Sequence, residues 1–460
     1  MTLIKSISGI RGTIGGRPGE NLSPVDIVKF TAAFGTWILR RLNTQKTKIV
    51  IGRDGRITGK MVSSLVVSTL QGLGIDVTDL EMASTPTVEL AVTGSGAGGG
   101  IIITASHNPA NWNALKLLNE KGEFLSATDG NEILLIASSE DFSFAEYNRT
   151  GNAVTDNSWG KKHIDQIARL DLVDIKAIKS ASLTVAVDCI NSVGGIILPP
   201  LLKKLGVKRI ILLNSVPDGN FAHNPEPLPE NLEEISRVVL NRKADLGFVV
   251  DPDVDRLAII CEDGSMFGEE YTLVAVADYI LQNSTGNTVS NMSSTMALKD
   301  VTERYGGSYF SSAVGEVNVI EEMKKREAVI GGEGNGGIIY PKLHYGRDAL
   351  VGIALFLSHL AKRRIKCSQL RELYPHYVIA KKKLTLGAGA DVDKILESVR
   401  KHFREYKIDE RDGMRIEHDS GWVHIRKSNT EPIIRIYAES TSSGNAEILA
   451  DTVINIVKKL

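Results

Sequence analysis

The sequence predicts an α/β protein of several domains that ends in a smaller α+β domain, and three observations carry that prediction. Short β-branched runs alternate with helix-period stretches, the rhythm of layered α/β folds. Each turn of the rhythm puts a polar or glycine-rich loop straight after an apolar strand, and the pattern recurs about three times along the chain. The last stretch breaks the rhythm and alternates as antiparallel strands do. Length agrees, because 460 residues leave room for about three domains.

Taken in order, the expected strands are Lys48–Gly52, Gly100–Ile103, Leu183–Val187, Leu246–Val250 and Ala328–Ile330, apolar and short as strands buried on both faces must be. Helix periodicity runs through Met61–Leu73 and Ile196–Leu205. Near the end, Ile379–Leu386 reads as a basic-apolar strand and Val392–Phe403 as a helix. Trp422–Ile425 and Ile433–Tyr437 then alternate like antiparallel strands. Breaks near 150, 256 and 370 divide the chain into domains 1–150, 151–255, 256–370 and 371–460.

Composition narrows the function classes. At 42% apolar and 24% charged the chain has ordinary globular usage. Lys plus Arg number 54 against 55 for Asp plus Glu, so the net charge of -1 offers no global field to nucleic acid or to an anionic membrane. Anionic ligands must therefore be held by local clusters. The three cysteines, Cys189, Cys261 and Cys367, are far apart without CxxC spacing, and are expected to be buried reduced thiols of a cytoplasmic protein. The N-terminus MTLIKSISGIRG has no apolar core of a secretory signal, and no run approaches the roughly 18 apolar residues of a membrane helix.

Ligands of open α/β sheets bind at the carboxyl ends of strands, so the loops there carry the reading. Thr104-Ala105-Ser106-His107-Asn108-Pro109 is a tight turn with a serine at its crown. His107 beside it and Lys116 downstream supply the proton transfer or charge that a serine nucleophile needs. Alone, the turn reads more readily as a helix cap. It is not the G-x-S-x-G elbow of acyl-transfer enzymes. Asp251-Pro252-Asp253-Val254-Asp255-Arg256 sets three carboxylates at alternate positions. Bare, they repel one another, and a divalent cation with oxygen ligands relieves them, Mg²⁺ above all. The loop lacks the glycine and glutamate of an EF-hand.

Gly331-Gly332-Glu333-Gly334-Asn335-Gly336-Gly337 lets the backbone approach a ligand, with Glu333 and Asn335 suited to vicinal hydroxyls. Arg426-Lys427-Ser428-Asn429-Thr430-Glu431-Pro432, with Arg435 beyond, makes a phosphate cradle or else a polar hairpin tip. Ser8-Gly9-Ile10-Arg11-Gly12 and Gly52-Arg53-Asp54 place arginines near the ends of early elements, and Asp218-Gly219-Asn220-Phe221 reads as a turn. None of these three is informative alone.

As a set, in this order and spacing, the loops resemble those of the α-D-phosphohexomutase superfamily, and the resemblance spans essentially the whole chain. It implies four domains around a central cleft, three related α/β units and a smaller C-terminal phosphate-binding domain. The resemblance makes Ser106 the residue that carries phosphate. It makes Asp251, Asp253 and Asp255, with the seryl phosphate, the site of one Mg²⁺ per chain. Arg11, His107 and Lys116 match residues near the reacting phosphate, with Lys116 the expected general acid/base. Arg256, Glu333 and Asn335 fall on the sugar side. Arg426, Ser428, Asn429, Thr430 and Arg435 fall where the family grips the other phosphate.

The implied reaction interconverts hexose 6-phosphate and hexose 1-phosphate through a sugar 1,6-bisphosphate that also serves as activator. The implied partners are small sugar phosphates, with no nucleic acid or membrane, for a cytoplasmic monomer or homodimer. Two departures stand out: Asn335 and Gly337 replace a serine and a histidine common in bacterial relatives, and Val314-Gly315-Glu316-Val317-Asn318 lacks a common basic residue. Both resemble the archaeal-type branch. With Glu316 and Glu333 available to a substrate ammonium, they point to glucosamine phosphate, with glucose or mannose phosphate as the alternative. A phosphoserine-dependent sugar phosphatase is the alternative of another class.

Overall fold

The structure is a computed structural model that describes residues 2–6, 9–44, 46–385, 391–427 and 433–459. The chain forms two compact units, Met1–Thr272 with Asn335–Leu370, and Leu273–Gly334 with Arg371–Leu460.

Two sheets organise the first unit. The first contains β1 (Ile4–Ser6), β2 (Gly9–Thr13), β3 (Lys48–Arg53), β4 (Asp76–Met82), β5 (Gly99–Ile103), β6 (Trp112–Leu118) and β7 (Ala153–Thr155), in the order β1-β2-β6-β5-β3-β4-β7. Its centre is parallel, β5 beside β3 beside β4, because helices cross over between these strands. β6 runs antiparallel to β5, so the segment between them, which holds the serine turn, is a hairpin loop. Helix Pro24–Arg41 starts at a capping box in which Ser23 and Asp26 exchange side-chain bonds. Its apolar face buries Phe30, Phe34 and Ile38 in the same cluster as Val62 and Val66 of helix Gly59–Gly72.

The second sheet holds β8 (Thr184–Asp188), β9 (Arg209–Leu213), β10 (Leu246–Val250) and β11 (Leu257–Cys261), ordered β11-β10-β8-β9. β10 is parallel to β8 and antiparallel to β11, so the acidic segment Asp251–Arg256 is again the loop of a hairpin that follows a parallel strand. The fully buried β10 explains the unbroken apolar run Leu246–Val250.

In the second unit β12 (Thr288–Asn291) lies between β13 (Tyr309–Ser312) and β14 (Ile330–Glu333), all parallel. β14 departs from the expected Ala328–Ile330: it begins where that run ends and continues into the glycines. Those glycines are a packing requirement, since a Cβ on Gly331 would stand 2.4 Å from Met323 Sδ and 2.8 Å from the Val289 carbonyl oxygen. Beyond it, β15 (Gly337–Ile339) belongs to the first unit, as does helix Ala349–Arg363, which is buried along nearly its whole length.

The last sheet is wholly antiparallel, β16 (Val378–Thr385), β17 (Lys407–Asp409), β18 (Met414–His418), β19 (Gly421–Lys427) and β20 (Ile433–Ser440), ordered β16-β20-β19-β18-β17. Helices Val392–His402 and Ser443–Val457 cover its apolar face. Among the described residues, no helix is long and apolar enough to cross a membrane.

Candidate active site

Both hairpin loops of the first unit turn toward each other. β5 delivers Ser106 to the crown of its turn, buried and with φ of 47°, a left-handed conformation that serine adopts only under constraint. Its Oγ donates to Asp251 Oδ2 at 2.6 Å and lies 3.4 Å from His107 Nδ1. Serine turn and acidic loop are thus one site.

The acidic loop is built around Asp251. Its Oδ1 accepts the backbone N–H of Asp255 at 3.1 Å and of Arg256 at 3.2 Å. Closing so tightly forces Val254, a buried β-branched residue, to φ of 60°. Ligand oxygens of Asp251, Asp253 and Asp255 come within 4.8 Å of one another, and all three residues are buried. Asp253 Oδ2 accepts Lys116 Nζ at 2.7 Å and Thr85 Oγ1 at 2.7 Å, and Asp255 Oδ2 accepts Arg347 Nη2 at 2.6 Å. The remaining oxygens, Oδ1 of Asp253 and Oδ1 of Asp255, are buried and have no hydrogen-bond partner. Buried carboxylate oxygens without donors are costly. Such a set fits a hard divalent cation, which supplies the missing positive partner.

The charges divide the roles. Burial and the neighbouring Asp255 and Asp253 push the Asp251 carboxyl well above the carboxylate range. Burial pushes Asp253 the same way, but the Lys116 ammonium together with hydrogen bonds from Asp251, Lys116 and Thr85 outweighs it and holds Asp253 below its ordinary value. Lys116 is buried too, and against that cost Asp253 and Asp255 raise its pKa, so it is a proton donor or a fixed charge in this arrangement. His107 faces Arg256, is buried and lies in the field of Arg347, which together hold its pKa well below the usual value. Its imidazole is therefore held neutral. Arg256 Nε lies 3.9 Å from Asp255 Oδ1. Arg11 pairs across β2 and β6 with Ala114, two residues from Lys116 on the same face of the sheet.

Sequence reasoning passed over Arg347 and Arg56 of this unit, and met Asp54 only as the end of Gly52-Arg53-Asp54. A lone arginine after a glycine gives no signal of its own, and neither does a charged pair two residues apart.

In the second unit Glu333 is buried at the end of β14, and its Oε1 accepts Asn291 Nδ2 at 3.0 Å and the Gly315 N–H at 3.2 Å. Gly315 caps the helix that Glu316 begins, so Glu333 holds the loop that presents Glu316. Asn335 belongs to the first unit, where its Oδ1 accepts the Gly337 N–H at 3.2 Å in a local turn. Arg426 and Arg435 stand directly opposite on β19 and β20, and Lys383 of β16 stands opposite Arg435, making a basic row across three strands. Like charges placed this way repel unless an anion lies among them. Arg426 Nε is also oriented by Asp412 Oδ2 at 3.0 Å. Lys383 was readable only as part of a basic strand. Ser428, Asn429 and Thr430 lie outside the described residues.

A serine turn hydrogen-bonded to a three-carboxylate loop, with three α/β sheets and a C-terminal α+β sheet, defines a phosphohexomutase, an isomerase that moves phosphate within a hexose phosphate. The domain profiles of one family match nearly the whole chain: phosphoglucomutase/phosphomannomutase alpha/beta/alpha domain I over residues 3–144, domain II over 161–264, domain III over 268–377 and the C-terminal domain over 380–456. The chain belongs to the phosphoglucomutase/phosphomannomutase family.

A phosphoglucomutase/phosphomannomutase of Thermococcus kodakarensis is 36% identical over 454 residues, covering 97% of this chain and 98% of its own. A phosphoglucosamine/phosphogalactosamine mutase of Sulfurisphaera tokodaii is 32% identical over 459 residues, covering 98% and 97%. Among solved structures, a phosphoglucomutase/phosphomannomutase family protein of Burkholderia thailandensis superposes with a TM-score of 0.85 at 25% identity, covering 99% of this chain and 98% of that one.

Proposed function

We propose that this phosphohexomutase interconverts glucosamine 6-phosphate and glucosamine 1-phosphate, with Ser106 as the residue that gives and takes back the phosphoryl group. The observation that carries it is the 2.6 Å contact of Ser106 Oγ with a buried cluster of three carboxylates whose spare oxygens lack donors. Asp251, Asp253 and Asp255 would hold Mg²⁺, which when bound neutralises their repulsion and the charge that develops on a phosphoryl group in transfer.

The residues then divide the work. Ser106 Oγ carries the phosphoryl group. A sugar hydroxyl forms a new P–O bond as the bond to Ser106 Oγ breaks, and the proton that the hydroxyl releases passes by way of His107 to the freed Ser106 Oγ. Lys116, Arg11 and Arg256 supply fixed positive charge around the moving group. Arg426, Arg435 and the segment Ser428 to Thr430 grip the other phosphate while the sugar 1,6-bisphosphate turns end for end. The second phosphate then returns to Ser106. The same bisphosphate, bound from solution, recharges a serine that has lost its phosphate. The basic row on the C-terminal sheet favours a mutase over a phosphatase, because a hydrolase needs no second grip.

Glu316 and Glu333, joined through Gly315, favour an amino sugar, whose ammonium they would pair. Glucose or mannose phosphate is the second reading, since a relative bears the name phosphoglucomutase/phosphomannomutase. The three buried free cysteines suit a cytoplasmic setting, and sedimentation velocity distinguishes the monomer from the homodimer.

Intact-mass analysis with peptide mapping tests the carrier. A fraction of purified protein carries one phosphate on Ser106, and Ser106→Ala removes both that phosphate and turnover; phosphate confined to another residue would overturn the mechanism. A higher kcat/KM for glucose 1-phosphate than for glucosamine 1-phosphate would overturn the sugar assignment alone.

A further inference from the structure

Arg56 is one of the largest fully buried side chains in the protein, and nothing in the reaction as described uses it. A buried guanidinium is tolerated only when its donors are satisfied. Here Nε donates to Asp54 Oδ2 at 3.0 Å, Nη1 to the carbonyl oxygens of Pro109 at 2.6 Å and Trp112 at 3.0 Å, and Nη2 to those of Ser106 at 2.6 Å and Asn108 at 2.7 Å. All five N–H donors are spent, and four go to the backbone of a single loop, the one that carries Ser106. Phe221, from the turn Asp218–Phe221, closes the guanidinium from one face with its ring centroid 5.1 Å from Cζ.

Asp54 works on the same loop from its start. Its Oδ2 accepts Thr104 Oγ1 at 2.7 Å, and Thr104 Oγ1 in turn accepts the Ser106 N–H at 2.9 Å. Gly55, between the two charged residues, donates its N–H to Ser192 Oγ at 2.9 Å, and Ser192 Oγ donates to the Pro252 carbonyl at 2.6 Å. One three-residue turn therefore holds the serine loop on one side and, through Ser192, the acidic loop on the other.

We propose that Arg56 is a positioning residue for Ser106: its guanidinium imposes the turn that keeps the serine in its left-handed conformation and aims Oγ at the three-carboxylate cluster. The inference rests on the reading of Ser106 as the phosphate carrier. A carrier serine must return to one geometry twice in each turnover, once loaded and once empty. Backbone carbonyls tied to a fixed cation give it a frame that does not change with the load. Only arginine does this, because lysine has three donors diverging from one nitrogen and cannot serve five acceptors spread across a planar fork.

The test compares wild type with Arg56→Lys, Arg56→Ala and Ser106→Ala, using glucosamine 1-phosphate and glucose 1-phosphate with glucose 1,6-bisphosphate as activator. For Arg56→Lys and Arg56→Ala, kcat falls about 100-fold, the scale of loss that a small misplacement of reacting groups produces. KM stays within about twofold, because the phosphate grip is untouched. Millimolar guanidinium restores part of the turnover of Arg56→Ala and none of that of Ser106→Ala. Should Arg56→Ala fail to fold, Arg56→Lys, which keeps the buried charge, decides. A folded Arg56→Lys with kcat within about twofold of wild type, or a loss that lies wholly in KM, overturns the inference. Turnover by Ser106→Ala overturns the carrier reading instead, so the two failures are distinct.

Discussion

Asp253 spends one carboxylate oxygen on Lys116 and Thr85 and leaves the other buried without a donor. That division makes it the most informative single residue of the acidic loop. Asp253→Asn keeps the shape but replaces a charge by an amide, so Lys116 loses a counter-charge 2.7 Å away and the proposed cation would lose a ligand. Turnover titrated against Mg²⁺ should fall at least about 100-fold, the scale of loss when one stabilising group of a transition state is removed. Far-UV circular dichroism should be unchanged. Undiminished turnover would remove Asp253 from the metal site. The triplet was legible because three carboxylates at alternate positions demand an explanation from sequence alone. Arg347, which accompanies them, was not, since its partner Asp255 is 92 residues away in the chain.

At the scale of elements, a buried ladder of polar groups joins three helices of the first unit. His163 of helix Trp159–Ile167 accepts or donates to Thr87 at 2.9 Å and meets Asp348 Oδ2 at 2.9 Å. Asp348 caps helix Ala349–Arg363 and also meets His344 Nε2 at 3.2 Å, while His344 Nδ1 reaches Glu89 of helix Thr85–Ser95 at 3.2 Å. Burial opposes charge on His344, but its hydrogen bonds to Asp348 and Glu89 prevail and push its pKa up to about 10. Asp348, despite burial, is held well below the carboxylate range by His163 and His344.

The signs follow from linkage. His344 is raised above its unfolded value of about 6.5, so its contribution is whole below that pH. It is lost as pH climbs through about 10. Asp348 is depressed, so its contribution is present above about pH 3.9 and lost as pH falls further. The thermal midpoint should therefore decline between about pH 6.5 and pH 10, and His344→Gln should flatten that decline while lowering the neutral-pH value. An identical slope in the variant would show that His344 is not the group responsible. No sequence pattern announces this ladder, because Glu89, His163 and the neighbours His344 and Asp348 come from three distant segments, and each alone reads as an ordinary polar residue.

For the whole molecule, the thiols report on packing. Cys189, Cys261 and Cys367 are free and buried in separate parts of the first unit's sequence. Burial, with Asp188 adjacent, pushes the Cys189 thiol up to about 12, so it is un-ionised and inert at neutral pH. The native protein should react slowly with Ellman's reagent, and denaturant should release all three thiols at once. Rapid native labelling of any of them would contradict their burial. Reductant should leave the thermal midpoint unchanged.

The sequence by itself determined the α/β rhythm, the antiparallel ending and the serine and acidic loops, because periodicity and local charge are properties of neighbours in the chain. It misjudged β14, since a glycine strand carries no side-chain period. Only the tertiary structure decided which way each charge leans. Lys116 became a held ammonium and His107 a neutral imidazole because of groups that arrive from elsewhere. Arg56 gained its role the same way. Its partners lie about fifty residues downstream, and only folding brings four carbonyls onto one guanidinium. Electrostatics at short range depends on distance in space, and the chain specifies that distance only once it has packed.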